Sequence, residues 1–428
     1  MSFSFIKFSL FFSCTLLTVS SVFAAGSGAY RLEVPDAAAV GKGSAFAGEA
    51  NNPSSVYYNP AGMTQLGGSS MSLGMSLIQP KGSYESNDGD IKTKMQRDTH
   101  TIPYGYFVTD LGTEKFAFGL GVTSSWGLVT DWSQESFAKY STTRAEVSNK
   151  DYMFTVAYEV NDHWSLAAGI DVDDSLVNKQ KKLNLGLGGP DANFKLKGDD
   201  VSAGFRVAGL YKLNDRHQFG LMYRSPIEHK YKGKVYIDEG VAAGLGAAFN
   251  IPDSYQTDVI SKSTLPDSIV LGYSYKPDSK WTFNLDIEWM NWSLVNKEEL
   301  AYPTETDLSR LALLNTGNPV SRDWISVFSG AFGVQYAVSE RLRVRGGYYH
   351  HQSPVPNDTW EPNLPDAVSH GLTTGFGYDL SKSLTLDLAW SGIYYMPRDI
   401  DNAVNNGDNN GTYKQWTNLM YMTMTYKF

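Results

Sequence analysis

Apolar and polar residues alternate with a period of two along much of the chain. The run from Trp281 to Trp289 is the clearest example, since five apolar or aromatic residues alternate there with Thr, Asn, Asp and Glu. Successive side chains of a strand point to opposite faces, so the pattern predicts a strand with one apolar and one polar face. The same pattern recurs around Ile170, Val344 and Leu386, with charged residues on the polar face. We therefore expect water on one side of the sheet and a different medium on the other.

Runs of this kind predict fourteen strands whose connections alternate between tight turns and long loops. Asn161-Asp162 and Ser381-Lys382 are typical of the turns. An even number of antiparallel strands, with short periplasmic turns and long external loops, is typical of an outer-membrane β-barrel. A soluble two-sheet sandwich, the alternative, has no reason to collect its long loops at one end. The fold class is thus all-β, a 14-stranded antiparallel transmembrane β-barrel, with strands near 69–80, 99–109, 115–128, 144–160, 163–178, 200–213, 217–236, 267–275, 280–294, 323–338, 340–351, 368–380, 383–396 and 416–428.

Residues 1–24 have the features of a secretory signal peptide. Lys7 precedes an apolar run from Phe8 to Val19, and small residues precede the expected cleavage site before Ala25. Cys14 is the only cysteine of the chain and lies in this leader, so we expect no disulfide and no thiolate ligand in the mature protein. No apolar run of about 18 residues follows, which argues against a helical membrane span.

Residues 25–68 precede the first predicted strand, are rich in Gly and Ala, and fit neither a helix nor a strand. Small residues allow close backbone approach, which suits a segment packed inside a container. In Asn59-Pro60-Ala61-Gly62, the proline restricts Asn59 and Gly62 permits a reversal, so a sharp turn is expected. We predict that 25–68 forms a hatch that plugs the lumen, and that 69–428 forms the barrel.

Two blocks of this segment, from Gly41 to Ala50 and from Val56 to Gly62, resemble the hatch of the FadL-type outer-membrane long-chain fatty-acid transporters. Further blocks beginning at Leu265, Trp289 and Gly346 follow in that family's order, so the resemblance covers nearly all of the mature chain. It implies a monomeric plugged barrel that passes hydrophobic compounds inward by passive diffusion. Long-chain fatty acids are the expected substrate. Aromatic or aliphatic hydrocarbons, as in the toluene-type members, are the alternative, and a general porin would leave the hatch unexplained.

A buried substrate carboxylate would need a cation as its partner. The resemblance places basic residues near the external end of the fifth strand, where this chain has Lys179, Lys181 and Lys182. Arg343 projects into the lumen and is a further candidate. Ion pairs with lumen carboxylates are the alternative role for these cations, and an uncharged substrate would need none of them.

Two external loops are expected to carry apolar faces that receive the substrate. Leu245 and Phe249 lie in the loop near 237–266, while Leu308 and Leu311 lie in the loop near 295–322, where Asp307 can cap a short helix. Packing of these faces onto the barrel rim is the alternative.

The third predicted strand loses its alternation at Ser124, Ser125, Trp126 and Gly127. Short polar residues and glycine favour a kink or bulge. The resemblance aligns this stretch with the inward-kinked third strand that opens the barrel wall laterally in the family. A bulge without function is the alternative.

The C-terminal strand places Met420, Met422, Met424, Tyr426 and the terminal Phe428 on one face. It resembles the signal that the barrel assembly machinery recognises, so we expect that machinery as a partner during biogenesis in a Gram-negative bacterium. The mature protein would then lie among outer-membrane lipid and lipopolysaccharide.

The remaining composition argues against several other functions. The formal net charge of −9 disfavours nucleic acid as a partner. The seven histidines are scattered and form no HExxH motif, so we expect no enzyme, no metal site and no cofactor.

Overall fold

Fourteen strands form a closed antiparallel barrel in which each strand pairs with the next in sequence and the last pairs with the first. The computed structural model describes residues 28–32, 36–184, 191–238, 251–252, 254–401 and 409–428. The predicted signal peptide, Leu245 and Phe249 lie outside the described residues. The strands are β1 (Ser69–Ser86), β2 (His100–Thr109), β3 (Phe116–Thr123, continued by Gly127–Asp131), β4 (Arg144–Glu159), β5 (Trp164–Leu183), β6 (Ala192–Lys212), β7 (His217–Arg224, continued by Ile227–Asp238), β8 (Ser254–Leu265, continued by Ser268–Tyr275), β9 (Trp281–Met290), β10 (Val327–Ala337), β11 (Leu342–His351), β12 (Ser369–Asp379), β13 (Leu384–Tyr395) and β14 (Gly411–Lys427). The predicted fold class is confirmed.

The barrel closes between β1 and β14, in a register that runs from Ser70 opposite Lys427 to Ser86 opposite Gly411. The predicted alternation assigns the two faces correctly. In β9, Leu285 and Ile287 point outward and are about half exposed, while Asn284 and Asp286 point inward and are buried. Apolar side chains thus cover the outside and polar side chains line the lumen, as expected of a barrel in lipid.

Short helices and strands lie outside the barrel strands. The helices are α1 (Ala37–Val40), α2 (Ser55–Tyr58) and α3 (Leu308–Leu314), with 3₁₀ turns at Pro60–Gln65 and Trp292–Leu294. Short strands at Lys92–Lys94, Lys297–Glu298, Leu300–Ala301, Val320–Ser321 and Arg398–Ile400 extend the sheet or pair within loops. Within the part of the chain that the structure describes, no helix is both long enough and apolar enough to cross a membrane.

The predicted boundaries of two neighbouring strands were wrong, and both errors lie at the same height of the barrel wall. The predicted single strand 217–236 is broken at Ser225-Pro226, and residues 254–265, expected in a loop, form the first part of β8. Pro226 and Pro266 cannot donate to a ladder, so both neighbouring strands break there and resume pairing beyond. Ile227 opposite Leu265 is the first pair above the break.

The tight turns and the long loops lie at opposite ends of the barrel, here called the turn end and the loop end. Several strands extend farther toward the loop end than predicted, as in β6, which begins at Ala192 rather than near residue 200. Loops at this end pack through aromatic side chains, as where the ring of Phe137 stacks at 3.6 Å on that of Tyr84 in β1. Charged outward residues in these extensions, such as Lys197, obscured the strands in the sequence.

Candidate functional site

The described part of the segment predicted to form the hatch, residues 28–32 and 36–68, packs against the inner face of the wall. The prediction that it contains no helix was wrong, because α1, α2 and the 3₁₀ turn lie in it. Between them, the backbone of residues 42–48 touches wall strands at glycines. A Cβ on Gly220 would overlap Ala47 O, and one on Gly333 would overlap Lys42 O. Backbone contact of this kind is possible only where the wall has no side chain.

Buried polar groups connect the same hatch residues to β9 through hydrogen bonds. Asp286 Oδ2 accepts hydrogen bonds from the backbone N–H groups of Phe46 and Ala47, each at 2.8 Å. Lys42 and Glu49 form a buried ion pair. Glu49 Oε2 also accepts from Asn284 Nδ2 at 2.6 Å. Each of these groups would be costly to bury without its partner.

The predicted turn lies inside the hatch, with Asn59 as its anchor. The Asn59 amide donates to Ala47 O at 2.9 Å and to Gly209 O of β6 at 3.2 Å, and its carbonyl accepts from Ala61 N at 3.1 Å. Pro60 begins the 3₁₀ turn, where its missing N–H is not needed. Gly62 is required for close packing rather than for a reversal, because a Cβ there would overlap Ala50 O.

The ladder between β2 and β3 is interrupted toward the loop end. Residues 105–109 of β2 pair with residues 118–122 of β3, and none of the described β2 residues before Gly105 pairs with β3. On the other side of β3, Thr123 pairs with Asp151 and Gly127 with Ser148, so β3 carries one extra residue there. The predicted interruption, Ser124 to Gly127, lies beside this gap in the wall.

Two residues of β4 hold the interruption in place. Asn149 Oδ1 accepts from Trp126 N at 3.0 Å, and Asn149 O accepts from Ser124 Oγ at 2.6 Å. Asp151 Oδ2 accepts from Ser125 N at 2.9 Å. Asn149 and Asp151 were not among the residues predicted for the site. Their polar character at inward positions of a strand was the available signal.

The N-terminal part of the hatch pairs with the same interruption. Leu32 N donates to Ser125 O at 2.9 Å, and Gly127 N donates to Tyr30 O at 2.8 Å. The ring of Tyr30 joins those of Trp126, Trp292 and Trp324, with centroids of contacting rings 5.0 to 6.0 Å apart. We call these four residues the aromatic cluster.

Two cavities lie between the aromatic cluster and the loop end. The inner cavity has a volume of about 370 Å³ and is lined by Tyr30, Leu128, Val177, Leu196, Tyr231 and Trp324, among others. The outer cavity, of about 260 Å³, is lined by Leu183, Phe194, Ile237, Tyr302, Leu313 and Leu314, among others. Both also border on Lys179, Glu298 and Arg322. The boundary between the two apolar cavities is therefore charged.

The cations at this boundary are neutralised by carboxylates of the loops. Glu298 pairs with Lys179 and accepts from Arg322 Nη2 at 2.9 Å, while Arg322 Nη1 donates to Glu361 at 2.6 Å. Burial alone would raise the pKa of the Glu298 carboxyl, but the charges of Lys179 and Arg322 outweigh burial and lower that pKa well below its usual range. Glu298, Arg322 and Glu361 were missed because loop residues carry no periodic pattern.

The other predicted cations have different surroundings. Lys181 lines the outer cavity, with its ammonium 5.6 Å from the centroid of the Phe194 ring. No carboxylate of the described residues lies within 4.0 Å of it. Lys182 donates to Asn193 Oδ1 at 2.6 Å. Arg343 forms a bidentate ion pair with Asp379 near the turn end and lines neither cavity. This matches the alternative role, an ion pair within the wall.

The predicted helix at the loop end is present as α3. Asp307 caps it, since its Oδ1 accepts from Ser309 N at 2.9 Å and Arg310 N at 3.1 Å. Leu311 packs on the apolar cluster beside the outer cavity. Leu308 lies in the first turn of α3, is 82% exposed and does not belong to this cluster, so its predicted contact with substrate stays a prediction.

Comparisons with known proteins agree with this architecture. Residues 17–428 match the family described as outer membrane protein transport protein (OMPP1/FadL/TodX). The chain is 24% identical to a putative outer membrane protein of Neisseria meningitidis serogroup B, over 97% of this chain and 98% of that protein. It is 25% identical to the long-chain fatty acid transport protein of Escherichia coli K12, over 83% and 85% of the two chains.

Solved structures are similar in fold. A FadL homologue from Pseudomonas aeruginosa superposes with a TM-score of 0.80 at 20% identity, covering 94% of this chain and all of the other. The toluene transporter TodX of Pseudomonas putida superposes with a TM-score of 0.70 at 17% identity, covering 95% and 99%. At these identities, the structural matches establish the fold alone.

Proposed function

Because the chain belongs to the FadL/TodX family of outer-membrane transport proteins, we propose that it takes up long-chain fatty acids by passive diffusion, with the loop end facing outward. The outer-membrane location and the transport of hydrophobic compounds come with the family. In our proposal, the protein is a monomer, and its C-terminal strand up to Phe428 is what the assembly machinery recognises.

The position of the inner cavity is the observation that carries the proposal. It extends from the charged boundary with the outer cavity to Tyr30 and Trp324 of the aromatic cluster, beside the gap between β2 and β3. An acyl chain is stabilised by the apolar lining, at roughly 0.8 kcal/mol for each buried methylene. It could then leave sideways into lipid, without crossing the wet turn end.

Lys181 is the proposed first partner of the substrate carboxylate. Lys179 and Arg322 are already neutralised by Glu298 and Glu361, so an entering anion would have to displace a carboxylate to reach them. Lys181 lines the outer cavity and requires no such exchange.

A lateral exit can be tested by closing the gap. Pro103 and Ser124 would be partners if the ladder that ends at Gly105 and Val122 continued, so a Pro103→Cys/Ser124→Cys variant places one thiol on each side of the gap. No cysteine other than Cys14 of the leader competes for a short bifunctional thiol reagent. We expect the cross-linked protein to bind labelled oleate but not to transport it in cells that lack other transporters. A cross-linked Phe107→Cys/Leu120→Cys control joins residues that already pair, and should transport normally. Full uptake by the cross-linked gap variant would contradict the lateral exit.

The hatch is proposed to close the axial route. Deleting residues 25–62 should raise the ion conductance of the assembled barrel in planar bilayers, because the groups that bridge the lumen are then lost. Unchanged conductance of an assembled deletion variant would favour the porin alternative.

An uncharged hydrocarbon is the second candidate substrate, and the neutralised boundary favours it. Lys181→Gln separates the two candidates. If fatty acids are the substrate, we expect about a tenfold loss of oleate uptake at low concentration, since a buried charge-assisted hydrogen bond contributes roughly 1.5–3 kcal/mol. Toluene entry should be unaffected. Rapid toluene entry together with negligible oleate uptake by the unmodified protein would establish the hydrocarbon candidate.

A further inference from the structure

Six lysines project outward from the loop-end extensions of three neighbouring strands. They alternate with buried inward residues such as Leu196, Tyr231 and Val259, and all but Lys195, which is half-buried, are exposed. We call them the lysine patch: Lys195 and Lys197 of β6, Lys230, Lys232 and Lys234 of β7, and Lys262 of β8.

The patch begins where the lipid-facing surface ends. Val201 of β6 and Leu176 of β5 point outward just below it and are 64% and 43% exposed. On β7, the outward residues change from Leu221 below the Pro226 break to lysines above it. With a rise of about 3.3 Å per residue, Lys197 and Lys195 lie roughly 13 and 20 Å beyond Val201 along β6. A change from apolar to charged outward residues is what we expect where lipid acyl chains give way to head groups.

The register places lysines directly opposite one another. Lys197 pairs with Lys234, and Lys230 pairs with Lys262. Side chains at such positions have Cβ atoms about 5 Å apart, and like charges there destabilise a sheet. An anion between the ammonium groups would turn this repulsion into attraction.

The described carboxylates only partly supply that anion. Lys234 pairs with Asp258 at 3.4 Å, and Asp199 lies opposite Lys232. Glu299 lies near Lys262, and both border on the inner cavity. Among described residues, no carboxylate lies within 4.0 Å of the other five ammonium groups. Glu228 and Asp238 flank the patch at its two ends. Positive charge therefore remains in excess here, in a chain whose formal net charge is −9.

We propose that the lysine patch binds the phosphate groups of lipopolysaccharide in the outer leaflet. The acyl chains of the same lipid would lie on the apolar surface that includes Leu176 and Val201. One lipid molecule would thus contact both the charged and the apolar part of the outer wall. Ammonium groups are compact donors that suit phosphate oxygens, and a phosphate between Lys197 and Lys234 turns repulsion into attraction. The proposal is independent of the transported substrate and needs only that the loop end faces outward.

Binding can be measured by native mass spectrometry of the full-length barrel in non-ionic detergent. The probes are bisphosphorylated lipid A, the same lipid without phosphates, and inorganic phosphate. We expect the Lys197→Gln/Lys230→Gln/Lys234→Gln/Lys262→Gln variant to bind bisphosphorylated lipid A at least tenfold more weakly than the unmodified protein. Lys81→Gln/Lys414→Gln is a control for the type of substitution, since these exposed outward lysines of β1 and β14 lie outside the patch, and it should bind normally.

Three outcomes would overturn the proposal: undiminished binding by the fourfold variant, equal binding of dephosphorylated lipid A, or equally tight binding of inorganic phosphate. A heat-modifiable band shift checks that each variant is folded. If the fourfold variant does not fold, the thermal unfolding of the double variant Lys197→Gln/Lys234→Gln tests the proposal instead. Without lipid A its unfolding temperature should equal or exceed that of the unmodified protein, and with lipid A it should be lower. If the two unfolding temperatures rank in the same order with and without lipid A, the proposal is contradicted.

Discussion

At the scale of single residues, Asn149 is the group on which the shape of the wall gap depends most directly. Its side chain and backbone accept hydrogen bonds from Trp126 N and Ser124 Oγ, and it is 1% exposed. These bonds replace regular ladder bonds to β4 at the extra residue of β3, while Tyr30 and Leu32 of the hatch bond to the other side of β3. The interruption is thus a defined conformation rather than a frayed strand end.

We therefore expect Asn149→Ala to lower the free energy of unfolding by about 1–3 kcal/mol, because the buried N–H of Trp126 would lose its acceptor. Urea unfolding of the detergent-solubilised protein, followed by tryptophan fluorescence, measures the change. Asn178→Ala is the control, since this half-buried amide donates to Glu146 at 3.1 Å and leaves no buried N–H without an acceptor. An equal loss in both variants would contradict the role of Asn149.

Asp366, in the loop between β11 and β12, makes stability depend on pH. Burial raises the pKa of its carboxyl to about 6, above the value of about 3.9 expected in the unfolded chain. The folded state therefore holds the proton more tightly. This contribution to stability is fully present below the unfolded pKa and is lost as the pH rises through about 6.

We expect ionisation of the Asp366 carboxyl to lower the free energy of unfolding by about 1 kcal/mol between pH 5 and pH 7. Asp366→Asn, which keeps an acceptor for the Ser353 hydroxyl, should remove that part of the dependence. Unfolding curves of both proteins at the two pH values test this. A variant as pH-dependent as the unmodified protein would assign the effect to other groups.

At the scale of elements, the hatch and the wall fit through backbone contacts at glycines. Gly220→Ala should displace the hatch, because its Cβ would overlap Ala47 O, and the ion conductance in planar bilayers should rise. Gly330→Ala is the control, since a Cβ on this wall glycine meets no other atom within 4 Å. If neither substitution changes the conductance, the contact does not seal the lumen.

At the scale of the whole molecule, the two ends of the barrel are expected to face different compartments. Asp215, in a tight turn, and Leu308, on α3, both have highly exposed side chains. A membrane-impermeant maleimide should label Leu308→Cys on intact cells and Asp215→Cys only after the cells are broken. Protease should likewise cut the loops and spare the turn at residues 214–216. Labelling of Asp215→Cys on intact cells would invert the proposed orientation.

The sequence by itself determined the barrel, its strand number, the assignment of the two faces and the capped helix at Asp307. These features follow from local rules, because the period of two and the capping geometry involve residues that are close in the chain. Residues 254–265 of β8 and the first residues of β6 were misassigned because their outward faces are polar or charged instead of apolar.

Only the tertiary structure decided the features on which transport depends. The gap between β2 and β3 follows from the register of three strands. The charged boundary joins Lys179 to Glu298, 119 positions away, and Lys197 opposes Lys234 only because β6 and β7 pair as they do. Such contacts depend on which distant segments become neighbours when the barrel closes, and alternation along a strand contains no information about that choice.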